Sequence, residues 1–240
     1  MKHPPTWFSI VYDSLTHSHL APMAQILIVT GVVAALLIFL SWWLTRGLTA
    51  GAPSKRQNFA EVLVELTEKG VIDIVGPHGK EYAAYIGTLF FYILFLNLFG
   101  LVPGFLAPTS SLSTTAALAI VTFFYVQWKG IKALGVKDYS LHFVGEPLWL
   151  APLMFPLHII GELAKPLSLA LRLFGNIYGK DMVIIILLWF SVDLFMGFVP
   201  LQLPIIFLGV LVSALQALVF AMLSCIYLAL ITVHHGDDHH

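Results

Sequence analysis

Long apolar runs separated by short polar segments dominate the chain, and they predict helices that cross a membrane. The first run covers residues 22–44. As a helix it would be about 34 Å long, which is enough to cross a hydrocarbon core of about 30 Å. Two further single spans are predicted over residues 82–102 and 113–128.

The last two apolar runs, residues 148–189 and 194–233, are each about twice as long as a perpendicular span needs. A short turn around Ser191 and Asp193 is expected to separate them. Tilt, bending or a re-entrant hairpin would absorb the excess length. We expect two long, tilted helices packed as a hairpin.

Residues 57–75 have a different pattern, because apolar positions alternate with acidic ones. This pattern indicates an amphipathic helix lying at the membrane interface. Within it, Glu65 and Lys69 have the i,i+4 spacing of a solvated ion pair. The predicted fold class is therefore an all-α integral membrane protein with about five transmembrane helices and one interfacial helix.

Composition supports the membrane assignment. The chain is 59% hydrophobic and 10% charged, with a mean hydropathy of +0.90, far from the roughly 25% charged residues of soluble domains. A net charge of −1 without a basic patch argues against nucleic-acid binding. The single cysteine, Cys225, permits no intrachain disulfide, and we expect it to be a small buried side chain.

The positive charges predict an orientation. Lys and Arg concentrate between the first and second spans and between the third and fourth, which places those loops in the cytoplasm by the positive-inside rule. The amino-terminal segment 1–21 is then outside, and the tail 234–240 is cytoplasmic. The residues concerned are Arg46, Lys55, Arg56, Lys69, Lys80, Lys129, Lys132 and Lys137.

Arg172 is the most informative single residue, because it lies in the middle of the fourth apolar run. A guanidinium stays protonated, and an arginine at the centre of a membrane helix costs about 2.5–3.5 kcal/mol on insertion scales. Such a residue usually marks a functional pathway. At about 100° per residue, four other polar side chains fall within roughly 40° of it. They are His158, Lys165, Ser168 and Asn176.

Other polar residues of the last two runs extend this picture. Glu162 is offset from Arg172 by about 80°, whereas Asp181 projects to the opposite side and suits a second aqueous pocket. In the final run, Gln216 is a candidate neighbour of Arg172. It belongs to a milder polar stripe with Gly209, Ser213, Ser224 and Tyr227.

The run from Lys165 to Tyr178, KPLSLALRLFGNIY, closely resembles the signature of subunit a of F-type ATP synthases. Further matches are NLFGLVP from Asn97, the pair Pro108-Thr109, and LQA and IYL in the final run. The resemblance covers most of the chain from the second span onward.

The resemblance implies a mechanism. The arginine matching Arg172 faces a carboxylate on each subunit of a rotating c-ring, between two aqueous half-channels that open to opposite sides of the membrane. Asn176 and Gln216 match polar positioning residues, and Asp181 matches an acidic relay site. His158, Glu162 and Ser168 are further candidates for ion translocation.

The family also implies partners and a location. The c-ring, the b subunits of the peripheral stalk and other ATP synthase subunits are expected in a bacterial plasma membrane. We expect no cofactor, no metal and no catalytic site in the chain. The ion is expected to be a proton, with sodium left open.

Three departures from the family pattern stand out. The acid matching Asp181 is more often Glu, so the shorter side chain here would need a bridging water. Gly209 occupies a position where some members carry His or an acid, and serines follow Pro108-Thr109 where some members carry Asp. These serines are Ser110, Ser111 and Ser113.

Simpler roles stay open for several residues. Lys165 could snorkel to the interface, and Asn176 and Gln216 could form only interhelical hydrogen bonds. Asp181 could be a structural partner of Lys180. His158 and Glu162 have the spacing of a metal pair, but no third ligand is evident.

Two other functional classes compete with the ion-translocation hypothesis. A secondary transporter would use Arg172 to bind an anionic solute, yet the internal repeats it predicts are not evident. An intramembrane enzyme would use His158, Glu162 and Asp181, but no nucleophile motif accompanies them.

Overall fold

The computed structural model describes residues 22–46, 54–102, 107–144, 151–195 and 203–232. Segments 1–21 and 234–240, predicted to lie outside and in the cytoplasm, are not among them. Within these ranges the chain is all-helical, with six α-helices and two short 3₁₀ helices at Pro77–Gly79 and Pro108–Ser110. The α-helices are α1 (Pro22–Thr45), α2 (Lys55–Val75), α3 (Lys80–Phe99), α4 (Leu112–Val144), α5 (Ala151–Phe195) and α6 (Leu203–Thr232).

Helices α1, α2 and α3 begin and end within three residues of the predicted runs. Helix α2 begins where Ser54 caps it, since the Ser54 hydroxyl accepts a hydrogen bond of 3.3 Å from the Gln57 amide. The predicted pair of Glu65 and Lys69 is present on the surface of α2 with a distance of 3.0 Å.

One predicted turn is wrong, and one helix continues beyond the residue at which a span was predicted to end. Helix α4 continues well beyond residue 128, and its backbone leaves the helical conformation only at Gly135, where φ is 81°. The turn predicted around Ser191 and Asp193 is helical, because α5 runs on to Phe195. Isolated polar residues do not end a helix by themselves, and the strong helix breakers Gly197 and Pro200 follow later in the sequence.

Three helices among the described residues are long and apolar enough to cross a membrane, at Ile26–Thr45, Lys80–Phe99 and Ile206–Ile231. The apolar stretches of α4 and α5 are interrupted by polar and charged side chains. Their assignment as spans therefore stays a prediction. At 45 residues, α5 extends about 67 Å, far more than a perpendicular crossing needs.

Helices α5 and α6 pack against each other in antiparallel directions, as the predicted hairpin requires. Lys165, early in α5, lies 5.5 Å from the Tyr227 ring, late in α6. Lys180, later in α5, contacts Gly209, near the start of α6.

The buried interior contains two apolar clusters. One joins the end of α2 to α3, α4 and the carboxyl-terminal part of α6, and it includes the predicted buried cysteine Cys225. The second joins α3 and α4 to the middle of α5 and α6, with Leu173, Ile177 and Phe220 completely buried. This second cluster holds the middle of α5 in place.

Charged residues gather at one end of the bundle. Lys129 of α4 lies 3.8 Å from Glu81 at the start of α3, and Lys80 lies 3.8 Å from Glu68 of α2. We call this the charged end. At the opposite end lie the carboxyl end of α3, the second 3₁₀ helix and the start of α4.

Candidate functional site

Arg172 lies on an exposed face of α5, although its neighbours Leu169 and Leu173 are buried against α3, α4 and α6. Within the described part of the chain, its guanidinium donates no hydrogen bond and forms no ion pair. The buried neighbours therefore hold the arginine at a fixed depth. A counter-charge or hydrogen-bond acceptor for its guanidinium must come from outside the described chain.

Between residues 161 and 179, most of the exposed residues that share this face with Arg172 are small. Five of them fall within about 80° of the arginine around the helix, and all are exposed. A Cβ atom built at any of the three glycines meets no other atom within 4 Å. Together with Arg172 they form what we call the arginine face: Gly161, Ala164, Ser168, Gly175 and Gly179.

The predicted polar stripe is divided by the packing. Ser168, Arg172 and Asn176 are exposed, whereas His158 and Lys165 are partly buried. The stripe is thus exposed from Ser168 to Asn176 and partly buried toward the start of α5.

Asn176 and Gln216 join α5 to α6 one turn beyond Arg172. The Asn176 side-chain amide donates a hydrogen bond of 2.6 Å to Gln216 Oε1, and the Gln216 side chain is buried. Gln216, the candidate neighbour of Arg172, thus contacts the residue one turn beyond the arginine.

A first polar cluster lies between Arg172 and the charged end, and we call it the Glu162 cluster. Glu162 forms an ion pair with Lys165 and accepts a hydrogen bond of 3.0 Å from Gln127 of α4. Tyr227 of α6 completes the cluster, lying beneath the Lys165 ammonium and within electrostatic reach of both Glu162 and Arg172.

A small cavity opens beside the Glu162 cluster. Pro166 lines it, and since proline has no amide hydrogen, the carbonyl of Glu162 loses its partner within the helix. The surface that the cavity presents is nevertheless apolar. Its full lining is Ala119, Thr122, Phe123, Val126, Glu162, Lys165, Pro166, Leu169 and Tyr227.

A second polar cluster lies toward the opposite end of the bundle, and we call it the Asp181 cluster. Lys180 Nζ lies 3.3 Å from Asp181 Oδ1. Nearby, the Thr109 hydroxyl donates a hydrogen bond of 2.8 Å to Asn97, whose amide reaches the carbonyl of Ser213 at 3.4 Å. Asn97, Thr109 and Ser213 are completely buried.

Several members of these clusters were not singled out from the sequence. Gln127 of the Glu162 cluster and Thr122 of the adjacent cavity lie on α4, and only their polar character in an otherwise apolar run could have marked them. Lys180 was named only as a possible partner of Asp181. No group of three or more His, Cys, Asp and Glu side chains is placed to hold a metal ion within the described ranges.

The fold and the site together define a class: a helical membrane protein with one exposed cation between two polar clusters. Glu162 precedes Arg172 by ten residues and Asp181 follows it by nine, about 15 Å and 13 Å along the helix. Such intramembrane charges are typical of ion pathways.

Comparison with known proteins identifies the family within that class. Residues 27–229 match the family model described as ATP synthase A chain. ATP synthase subunit a of Protochlamydia amoebophila is 42% identical over 97% of this chain and 90% of that protein. The subunits a of Desulfosudis oleivorans and Geotalea daltonii are 42% and 44% identical over 95% and 83% of this chain, and 97% and 83% of those proteins.

The chain belongs to the ATP synthase A chain family, which confirms the resemblance seen in its sequence. The general role of this family is proton translocation in the membrane sector of ATP synthase. The chain is thus a membrane protein of the ATP synthase complex and a stator subunit of its membrane sector.

Proposed function

We propose that the arginine face is the surface along which the rotating c-ring passes. The observation that carries this proposal is the exposure of Arg172, without a counter-charge in the described chain, on a face of small side chains. Small side chains allow another helix to approach closely. A carboxylate on that approaching helix would supply the missing partner.

In this arrangement Arg172 has two electrostatic tasks. It attracts an ionised ring carboxylate that has released its proton, because opposite charges interact strongly where water is scarce. It also repels protons that would otherwise pass directly from one polar cluster to the other. Each proton crossing 100 mV supplies about 2.3 kcal/mol, so a leak past the arginine would waste the energy needed for rotation.

The two polar clusters are proposed as the half-channels. The Asp181 cluster would deliver protons between one side of the membrane and the ring, with Asp181 as the relay acid. The Glu162 cluster would connect the ring to the other side, with Glu162 and His158 lining the path. Their placement on either side of Arg172 along α5 supports this division.

Asn176, Gln216 and Ser168 are assigned roles close to the arginine. The hydrogen bond between Asn176 and Gln216 fixes α5 against α6 at the depth of the arginine, so both residues position Arg172. Ser168 lies one turn before Arg172 on the arginine face and would contact the ring directly.

We further propose that the chain has no catalytic site of its own and contacts the b subunits of the peripheral stalk. The membrane is proposed to be the bacterial plasma membrane, with the amino terminus outside and the carboxyl terminus in the cytoplasm. The gathering of Lys80 and Lys129 at the charged end supports a cytoplasmic position for that end.

The test is proton-driven ATP synthesis in membranes that carry Arg172→Ala. We expect synthesis to fall below detection while the variant still assembles with the ring. The control is Arg46→Ala, which removes an exposed arginine that stacks on Trp42 at 4.2 Å. Normal coupled synthesis by Arg172→Ala would overturn the proposed mechanism.

A further inference from the structure

Lys180 is the most deeply buried charged side chain that the structure describes. Its side chain is 5% exposed, and its ammonium group forms no hydrogen bond within the described residues. Burying an ammonium without a partner is costly, so a lysine in this position needs a counter-charge. The carboxylate of Asp181, at 3.3 Å, supplies one.

The packing around Lys180 makes room for this burial. The aliphatic part of its side chain crosses α6 at Gly209, where an added Cβ atom would lie 3.1 Å from Lys180 Cδ and 2.9 Å from Leu101 Cδ2. Any larger residue at Gly209 would press on both side chains. The glycine thus accommodates the lysine, which in turn directs its ammonium toward Asp181.

A second buried polar atom lies one helical turn from Gly209. The hydroxyl of Ser213 has no hydrogen-bond partner in the described chain, although the side chain is completely buried. Buried polar atoms are normally satisfied, if necessary by an ordered water. The Ser213 hydroxyl is therefore an unsatisfied polar group one turn from the place where Lys180 meets α6, and Asp181 is the counter-charge that the described residues provide for the lysine.

We propose that Lys180 is a positioning residue for Asp181, holding it as a carboxylate that accepts and releases protons in transit. This inference rests on the proposed role of Asp181 as the relay acid. A buried carboxylate alone favours its neutral form and would retain a proton. With the lysine beside it, a proton that binds Asp181 leaves the ammonium without a counter-charge, so the proton is passed on.

The experiment compares Lys180→Met with Lys180→Arg. Methionine keeps an unbranched apolar stem against Gly209 but removes the charge, whereas arginine keeps the charge but is larger. A role through charge predicts faster proton flux in Lys180→Arg, while a role in packing predicts the reverse order. The readout is passive proton flux through membranes stripped of the catalytic head, normalised to the amount of assembled chain.

The expected result is a flux loss of roughly tenfold in Lys180→Met, in the range of strong coupling between neighbouring residues. Asp181→Asn should lower the flux at least as much. Adding Lys180→Met to Asp181→Asn should then lower it no further, because the lysine acts only through the acid. Lys69→Met, which breaks the exposed pair with Glu65, should leave the flux unchanged.

Four outcomes would overturn the inference. Unchanged flux in Asp181→Asn would remove the relay role itself, and the inference with it. A normal effect of Asp181→Asn together with unchanged flux in Lys180→Met would overturn only the role of the lysine. The same holds if the two losses simply multiply in the double variant, or if Lys180→Met conducts better than Lys180→Arg.

Discussion

Arg172 and Lys180 lie two turns apart on the same helix, yet their surroundings are opposite. Arg172 is exposed on a face of small side chains, without a counter-charge in the described chain. Lys180 is buried between α5 and α6 with Asp181 beside it. Lys180 therefore has its counter-charge within the chain, whereas Arg172 needs one from a partner.

The difference shows how one helix can serve two purposes. A charge that is paired within the chain can adjust the chemistry of its neighbour but cannot act on a moving partner. A charge on an open face can act on that partner, provided that the helix holds it at a fixed position. The buried residues Leu169, Leu173 and Ile177 provide that support for Arg172.

The largest effect is expected from closing the open face while leaving its charge. Gly175→Leu would place a branched side chain beside Arg172 and keep the ring helix away. Since a displacement of about 1 Å can cost on the order of 10²-fold in activity, we expect ATP synthesis to fall by about that factor.

The matched control for this variant is Gly31→Leu in α1. Gly31 is also exposed, and a Cβ atom there also meets nothing within 4 Å. If Gly175→Leu synthesises ATP as well as Gly31→Leu does, the arginine face is not the surface that the ring passes.

An intermediate effect is expected from removing the acid that pairs with Lys165 in the Glu162 cluster. Glu162→Gln keeps the shape and the contact with Gln127 but removes the counter-charge of Lys165. We expect passive proton flux to fall by roughly tenfold. Glu65→Gln, which breaks the exposed pair with Lys69, serves as the control and should have little effect. Equal flux in the two variants would argue that the Glu162 cluster is not part of the path.

The smallest effect is expected from Gly209→Ala. The added methyl group must displace Leu101 and Lys180 by a few tenths of an ångström, and both contacts are made by flexible side chains. We expect a roughly two- to threefold loss of flux, equivalent to about 0.5 kcal/mol. Gly31→Ala, where no such contact exists, should be neutral. A loss as large as that of Lys180→Met would mean that packing at Gly209 matters more than the lysine charge.

Much of the fold could be predicted from the sequence, because hydrophobic runs of span length have few alternatives in a membrane. The helix ends of α4 and α5 could not be predicted in this way. Gly135 interrupts the helical backbone of α4, whereas α5 continues through Gly175 and Gly179. Whether a glycine ends a helix depends on its surroundings, and the sequence pattern does not contain them.

The same limit applies to the site. Arg172 could be identified from the free-energy cost of a charged side chain in a membrane helix, and helical periodicity placed Ser168 and Asn176 near it. The periodicity of one helix cannot show which residue of a neighbouring helix contacts a given side chain. For that reason it missed Gln127 as the partner of Glu162.

The central claim is that the arginine face, and no other side of α5, meets the c-ring. Disulfide formation with a cysteine placed beside the ring carboxylate tests it directly, after the native Cys225 is replaced by alanine. Ser168→Cys and Leu167→Cys lie at nearly the same depth and both positions are exposed, but they point about 100° apart. A disulfide requires Cβ atoms within about 3.5–4.5 Å. The account predicts a cross-link to the ring from Ser168→Cys and none from Leu167→Cys. Cross-linking from Leu167→Cys alone would contradict it.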